Sequence, residues 1–265
     1  MLSRTWILSD CLSRTHSQCL KATLYSYFNV QRPLTSHIPP GYHLIYFNPK
    51  SEEDALSKDG YDAHQQPDDT SFKRRMWIGG SMKFHHSVPF DQKSICVESI
   101  DAFRKLRDKH YVTINREIIS GEDVAIEEKR TLIYTNTYYT PPEPVFVEKK
   151  PSFSHIMKPT ELMLFRYSAL TFNSHKIHYD KVYAESEGYP NVLLQGPLSV
   201  TLLLEWVNTL YDGLKIKEFT YKNIAPIFAG DEIELCLREN EDSVFDAWIQ
   251  KRDGQLLVEA ALDAE

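Results

Sequence analysis

Two stretches of the chain repeat one pattern of hydrophobic and polar positions. Each has an alternating segment, a hydrophobic–proline–hydrophobic turn and a second alternating segment; they cover Met82–Ile100 and Glu218–Leu237. Alternation with a period of two residues is typical of strands that bury one face. Each copy therefore predicts two strands joined by a turn.

A further pair of strands is predicted after each copy. Tyr111–Ile119 with Ala125–Tyr134 follows the first, and Ser243–Lys251 with Leu256–Leu262 follows the second. Asp253-Gly254 lies inside the last pair and is typical of a tight hairpin turn. The repetition predicts two copies of one α+β unit.

One helix of unusual character is predicted in the second half. Hydrophobic residues cover most of its circumference over Leu198–Tyr211, and a helix apolar nearly all round is buried. Gly196-Pro197 precedes it and Gly213 follows it, as is usual at helix ends. A buried helix wrapped by an antiparallel sheet is the hot-dog architecture. Because the unit occurs twice, we expect an α+β double hot-dog, with two sheets that each wrap a central helix.

Proline-rich and charged residues divide the chain into segments. Thr140-Pro-Pro-Glu-Pro and Glu148-Lys-Lys-Pro are typical of a solvated linker. We therefore predict an N-terminal hot-dog over 37–140, a linker over 141–152 and a C-terminal hot-dog over 153–265. The two halves would form a pseudo-dimer within one chain, and a homodimer stays possible.

Composition and charge exclude several classes of protein. A hydrophobic content of 42% is ample for a packed core. A formal net charge of -7 argues against a nucleic-acid binder, whose affinity would rest on a basic surface. The four cysteines show neither zinc spacing nor a disulfide framework. No apolar run approaches the roughly 20 residues that span a bilayer, so we expect a soluble protein.

Residues 1–36 differ in composition from the rest of the chain. They hold four basic residues, one acidic residue and ten Ser or Thr. That composition is typical of a mitochondrial transit peptide and predicts a location in the mitochondrial matrix. The alternative is an ordinary first element of the fold, since Thr5–Asp10 also looks foldable.

Phe172–Asp180 is the densest group of candidate functional residues. It places Asn173, His175 and His178 within six positions, after an apolar run. So many polar groups are costly to bury unless each finds a partner. Taken alone, the histidines could be surface or hydrogen-bonded core residues, and Asn173 a turn residue or helix cap. A metal site with Asp180 would need a third ligand that is not evident.

This segment resembles the hot-dog (R)-specific enoyl hydratases and dehydratases, the MaoC-like family. Their pattern is Asp-any-Asn-Pro-aliphatic-His, and this chain has Asn173 to His178, then Asp180 and Ala184. In pattern the chain is most similar to the fungal mitochondrial 3-hydroxyacyl-thioester dehydratases of type 2. That similarity extends to Ser3-Arg-Thr-Trp-Ile, Glu98-Ser-Ile, Arg107-Asp-Lys-His and Gln195-Gly-Pro.

The resemblance assigns roles to several residues. His178 matches the catalytic histidine of the family and would act as acid or base. Gly196 and Asp180 are candidates for binding the substrate, with Gly196 at the oxyanion site, because the first turn of a helix has free N–H groups. Asn173 stands where the wider family has Asp, and His175 where it has Asn. His175 would either orient the loop or supply the second proton-transfer group.

The resemblance also implies the reaction. It is the reversible dehydration of (3R)-3-hydroxyacyl thioesters to trans-2-enoyl thioesters in mitochondrial type II fatty acid synthesis. No metal or redox cofactor is implied, because the substrate brings its own phosphopantetheine, on acyl carrier protein or coenzyme A. The N-terminal half lacks an equivalent of Asn173–His178 and would supply the acyl-chain tunnel. Two alternatives stay open: a hot-dog thioesterase, for which the helix offers only Glu205, and a silent acyl-thioester binding protein.

Two basic stretches are candidates for docking an acidic partner. Lys73, Arg74 and Arg75 are consecutive, and a second cluster covers Arg104–Lys109. In an acidic chain such clusters could receive acyl carrier protein or a coenzyme A phosphate. They are equally consistent with solvated surface.

Overall fold

A computed structural model describes residues 4–28, 32–63, 65–66 and 72–265. The ten strands within these ranges form one antiparallel sheet, in the order β1-β3-β4-β5-β2-β7-β10-β9-β8-β6. The strands are β1 (Thr5–Cys11), β2 (Arg74–Phe84), β3 (Lys93–Leu106), β4 (Lys109–Ser120), β5 (Asp123–Thr135), β6 (Phe153–Met157), β7 (Ile216–Asn223), β8 (Ile233–Glu239), β9 (Val244–Lys251) and β10 (Leu256–Ala264). The helices are α1 (Arg14–Leu24), α2 (Glu161–Leu170), α3 (Lys181–Ser186) and α4 (Gly196–Leu210).

The predicted duplication is confirmed by the strand order. Within each half the order is the same, so that β1 to β5 correspond in turn to β6 to β10. The halves meet where β2 pairs with β7, in a register that places Gly80 opposite Tyr221. The predicted strand pairs and the hairpin at Asp253-Gly254 are also confirmed, and Gly254 has a φ of 86°. One glycine-containing turn thus fixes the register of β9 against β10.

The expectation of two separate sheets is wrong. Because β2 and β7 are hydrogen-bonded neighbours, the sheet is continuous through both halves. The expectation of two central helices is also wrong for the described residues. In the N-terminal half a short 3₁₀ turn over Tyr42–Ile45 lies against α4, and a Cβ added to Gly41 would come within 2.7 Å of Leu204 Cδ1. The architecture is α+β and hot-dog-like, with one long buried helix.

Helix α4 is the centre of the hydrophobic core. Its apolar side chains, including Leu198, Leu202 and Leu203, are fully buried and pack in one cluster with residues from both halves. Gln195 is the residue before the helix and makes no side-chain capping hydrogen bond, and Pro197 occupies the first turn, as predicted. The core therefore holds the N-terminus of α4 in a fixed place relative to the sheet.

The N-terminal segment is part of the fold. Strand β1 pairs with β3, and α1 buries Leu20 and Leu24 in the main core. A cleaved targeting peptide ending at residue 36 would remove an edge strand and a packed helix. The predicted targeting segment over 1–36 therefore contains folded elements, and its residues 1–3 and 29–31 lie outside the described ranges. Across those same ranges, no helix has the length and apolarity needed to cross a membrane.

The predicted linker crosses between the halves along the sheet. Its middle is not entirely solvated, because Phe146 forms a β-bridge with Gln255 and Val147 N–H donates to the Gly254 carbonyl, 3.1 Å away. The linker thus runs beside the β9–β10 hairpin.

Candidate active site

The loop after α2 carries the predicted functional residues. Thr171 ends the helix, and Asn173 Oδ1 then accepts the backbone N–H of His175 at 3.1 Å. This turn directs the chain into a short 3₁₀ helix over Lys176–His178. Asn173 therefore has the turn role typical of asparagine. Its Nδ2 has no hydrogen-bond partner among the described residues.

His178 is buried and held in one tautomer. Its Nδ1 lies 2.8 Å from the carbonyl oxygen of Leu193, and the Leu193 N–H donates to the Ile177 carbonyl at 2.9 Å. Since a carbonyl only accepts, Nδ1 carries the proton and Nε2 is left with a lone pair. Burial, then the charge of His175, lower the pKa of His178 to about 3. His178 is therefore a neutral imidazole at physiological pH, with a base aimed away from Leu193.

His175 is paired with a carboxylate from the N-terminal half. Its Nε2 lies 3.1 Å from Asp59 Oδ2, and both side chains are largely buried. Burial lowers the pKa of His175, and Asp59 only partly offsets this. Burial acts to raise the pKa of Asp59, but the hydrogen bond and charge of His175 outweigh it, so this pKa lies below its ordinary value. The two imidazole rings of His175 and His178 are perpendicular, with centroids 5.7 Å apart.

The N-terminus of α4 also lines the site, and Gly196 there packs closely against the other half of the chain. A Cβ added to Gly196 would come within 3.1 Å of Trp77 Cβ on strand β2. Trp77 itself is fixed, because its Nε1 donates to the Tyr221 hydroxyl at 2.7 Å and Arg130 stacks on its ring. Close packing of the two halves thus favours glycine here, because any side chain would have to displace Trp77.

The residues of both halves line one cavity of about 1140 Å³. His178, His175 and Asn173 lie on its wall together with Gly196, as does Trp77 from the other half. Further along, the N-terminal half adds apolar side chains, among them Met76, Ile78 and Leu132. The cavity therefore combines an imidazole base, a helix N-terminus and an apolar extension.

A buried network of charges lies behind this wall in the N-terminal half. Arg116 is fully buried and contacts Glu98 at 3.0 Å and Glu128 at 2.8 Å, while Arg130 contacts Glu128 at 2.5 Å. Glu98 and Arg130 also line the cavity. The two arginines hold the pKa of Glu128 near 2, against the effect of its burial. This network sets the charge of the cavity floor.

Comparison with known proteins decides the family. The model of the family described as Hydroxyacyl-thioester dehydratase type 2 matches residues 41–229. This chain belongs to that family. The match covers both β2, which supplies Trp77, and the segment with His175 and His178. The resemblance expected from the sequence is thereby confirmed.

Individual relatives agree with the family. The chain is 32% identical, over 97% of its length and 98% of the relative's, to a protein of Schizosaccharomyces pombe named Hydroxyacyl-thioester dehydratase type 2, mitochondrial. It is also 32% identical, over 86% of its length and 84% of the relative's, to the Mesaconyl-C(4)-CoA hydratase of Chloroflexus aurantiacus. The crystal structure of HtdX from Mycobacterium tuberculosis has the same fold, with a TM-score of 0.74 at 14% identity over 99% of this chain and 100% of that one.

The protein is thus a hydro-lyase of hydroxyacyl thioesters. Not all predicted residues belong to its cavity. Asp180 caps α3, where its Oδ1 accepts the N–H of Tyr183 at 3.0 Å, and it does not line the cavity. In the described ranges, no cluster of three or more His, Cys, Asp or Glu could hold a metal ion.

The three consecutive basic residues do not form one exposed cluster. Only Lys73 is exposed. Arg74 is buried and forms an ion pair with Glu187. Arg75 is half-buried, lines the cavity and stacks on the ring of Tyr61. A surface that receives acyl carrier protein therefore cannot use all three together.

Sequence reasoning missed Asp59. This residue lies in an acidic, Ser-rich loop more than a hundred positions before His175. The turn-like Lys58-Asp59-Gly60 was its only local signal, and that pattern is common in exposed loops. Only the fold shows that this loop reaches the other half.

Proposed function

We propose that this protein catalyses the reversible dehydration of (3R)-3-hydroxyacyl thioesters to trans-2-enoyl thioesters. One observation carries the proposal. His178, with Nδ1 committed to Leu193 and Nε2 free, lines the same cavity as the N-terminus of α4. A base and an oxyanion site are two of the features that this elimination requires.

His178 would remove the proton at C2. Its neutral form is available across the physiological range, because burial keeps its pKa near 3. The tautomer fixed by Leu193 presents the basic nitrogen without any rearrangement. Proton transfer by such a positioned group contributes about 10²–10⁴ in rate.

The start of α4 would stabilise the charge that develops on the thioester oxygen. The N–H groups of a first helical turn have no partner within the helix, and the helix dipole is positive at that end. Gly196 is the candidate donor, whereas Pro197 has no N–H to offer. Preorganised donors of this kind are commonly worth several kcal/mol to the transition state.

Asn173 would hold the hydroxyl that leaves. Its Oδ1 is engaged by the His175 backbone, which leaves Nδ2 as a donor on a side chain that lines the cavity. An amide cannot transfer a proton, so this role is confined to a hydrogen bond.

The proposed setting is mitochondrial type II fatty acid synthesis, with the substrate on the phosphopantetheine of acyl carrier protein or coenzyme A. The names of the fungal relatives and the basic, acid-poor residues 1–36 support it. Residues 4–28 are folded into the sheet and core. A targeting signal within them would therefore be retained in the folded protein.

A thioesterase is the alternative that uses the same fold. Its water would have to be activated by a carboxylate, and the helix offers Glu205. Glu205 does not line the cavity, since it contacts Lys21 at 3.3 Å and the Tyr42 hydroxyl at 3.2 Å. That pairing favours the dehydratase.

A direct assay tests the proposal. Purified protein is given a trans-2-enoyl coenzyme A, and loss of the conjugated-thioester absorbance is followed together with release of free thiol. We expect absorbance loss without thiol, and a fall of roughly 10²–10⁴ in kcat for His178→Ala. The exposed His86→Ala is the matched control and should retain wild-type activity. Thiol release would support a thioesterase, no reaction a silent binding protein, and full activity in His178→Ala would refute the assignment.

A further inference from the structure

The N-terminal half inserts one carboxylate into the catalytic loop of the C-terminal half. Asp59 Oδ2 contacts His175 Nε2 at 3.1 Å. The other oxygen, Oδ1, is occupied separately, because it accepts from the Ser57 hydroxyl and from the Tyr61 N–H at 3.3 Å. Asp59 is therefore held at one oxygen by its own loop and presents the other to His175.

The backbone around Asp59 is fixed to the same loop. The Lys176 N–H donates to the Asp59 carbonyl at 2.8 Å, and the Ser174 hydroxyl donates to the Gly60 carbonyl at 2.6 Å. Gly60 has a φ of 77°, and a Cβ there would lie 2.2 Å from the Ser174 carbonyl oxygen. Only glycine permits this approach. The contact between the halves is thus built from both backbones.

This arrangement sets the tautomer of His175. A carboxylate only accepts, so Nε2 carries the hydrogen that points at Asp59. Nδ1 then has no hydrogen-bond partner among the described residues, on a ring that lines the cavity. Two imidazoles thus line the cavity. His178 has its Nε2 without a partner among the described residues, and His175 has its Nδ1.

We propose that Asp59 is a positioning residue that makes His175 the second proton-transfer group of this active site. The inference rests on the proposed function. In dehydration, His178 Nε2 takes the C2 proton, and the electron pair of that C–H bond forms the C2=C3 double bond. The C3–O bond breaks, and the Nδ1–H of protonated His175 supplies the proton that turns the departing hydroxide into water. In hydration each step reverses.

The pair compensates for the amide at position 173. Asn173 has no titratable proton, so protonation of the departing hydroxide needs another group. Asp59 provides the carboxylate through His175, from a loop that lies in the other half of the chain. The N-terminal half is then a part of the active site and more than a wall of the acyl tunnel.

The charges that face His175 come from several elements. Asp59 lies in the 57–61 loop, Arg75 on β2, Glu187 just after α3 and His178 on its own loop. Asp59 and Glu187 favour the imidazolium, whereas Arg75 opposes it. Removal of the Asp59 charge alone should therefore shift the titration of His175 to lower pH.

The test compares Asp59→Asn with Asp54→Asn, an exposed aspartate in the 3₁₀ turn over Glu53–Ala55. Asparagine keeps a hydrogen-bond acceptor for His175 and removes the charge. We expect kcat for hydration to fall roughly 10²-fold, in the range of a lost proton-transfer contribution, with KM little changed. The acid limb of the hydration profile should move to lower pH, because His175 must be neutral to take a proton from water. Asp54→Asn should match the wild type in kcat, in KM and in the acid limb of the pH profile.

A second measurement does not depend on activity. The ¹⁵N shifts of the His175 ring should show the Nε2–H tautomer in the wild type and a mixture in Asp59→Ala. The proposed function stands if the wild type and Asp54→Asn hydrate the substrate and His178→Ala does not. If Asp59→Asn then retains the wild-type kcat and pH profile, the role of Asp59 is refuted. If the wild type itself hydrates nothing, the proposed function fails, and an unchanged His175 tautomer in Asp59→Ala would separately overturn the positioning role.

Discussion

His178 Nδ1 lies 2.8 Å from the carbonyl oxygen of Leu193. The strand-like segment that carries Leu193 is in turn bonded to the Ile177 carbonyl and bridged to Phe228. A single backbone oxygen thus selects the tautomer of the proposed base. Because this selection uses the main chain, no side-chain substitution at Leu193 should abolish it.

The contact between Gly196 and Trp77 predicts a strong coupling of the two halves. Gly196→Ala should destabilise the protein by about 1–3 kcal/mol, because the added methyl overpacks against an indole that is held on two sides. In a Trp77→Gly background, which removes both the Cβ and the Cγ that the new methyl would approach, the same change should cost less. A double-mutant cycle by urea denaturation measures the coupling, and additive effects would contradict the contact.

Acid should destabilise the fold well above the pH at which carboxylates titrate. Burial lowers the pKa of His43 to about 4, and Glu128 is held near 2. Below pH 6.5 the unfolded chain binds a proton at His43, whereas the folded protein does not until about pH 4. The free energy of unfolding therefore falls as the pH drops from 6.5 to 4, by roughly 3 kcal/mol for His43. Glu128 adds a loss of the same sign between 4.5 and 2. Urea denaturation at pH 7 and pH 5 should show the first loss, and His43→Leu should reduce it.

Helix α4 should dominate the stability of the core. Leu203 is fully buried, whereas Leu162 on α2 is 61% exposed. We expect Leu203→Ala to lower the free energy of unfolding by about 2–5 kcal/mol. Leu162→Ala should change it little, since exposed apolar residues contribute little to the core. Equal losses in chemical denaturation would show that the packing of α4 is described wrongly.

Truncation tests the predicted targeting segment over residues 1–36. Removal of residues 1–36 takes away β1 and α1, including the buried Leu20 and Leu24. We expect the truncated protein to lose its cooperative thermal transition, because β3 loses its edge partner and the core loses a helix. A stable, active protein without residues 1–36 would support a targeting segment that ends at residue 36.

Most of the fold could be predicted from the period of hydrophobic positions. Strands such as Tyr111–Ile119 and the helix from Gly196 follow from periodicity and from turn chemistry, which act over a few residues. The continuous sheet could not be predicted, because the pairing of β2 with β7 depends on two segments far apart in sequence. The 3₁₀ turn at Tyr42 could not be predicted for the same reason, since the glycine before it lies close to Leu204 of α4.

Half of the candidate site was accessible from the sequence. His178, His175 and Asn173 lie together in a short motif, and the pattern around Gly196 marks a helix start. Asp59 was not accessible, because its role depends on a loop from the other half reaching Ser174 and Lys176. Asp180 caps α3 and does not line the cavity, so its role in binding the substrate stays a prediction.

Deuterium exchange at C2 of a 3-hydroxyacyl thioester tests the central claim most directly. In D₂O the wild type should eliminate and re-add water, so that mass spectrometry finds deuterium at C2 of the recovered substrate. In His178→Ala the rate of this exchange should fall roughly 10²–10⁴-fold, while His86→Ala exchanges like the wild type. Exchange at the wild-type rate in His178→Ala would show that another group removes the proton and would contradict the account.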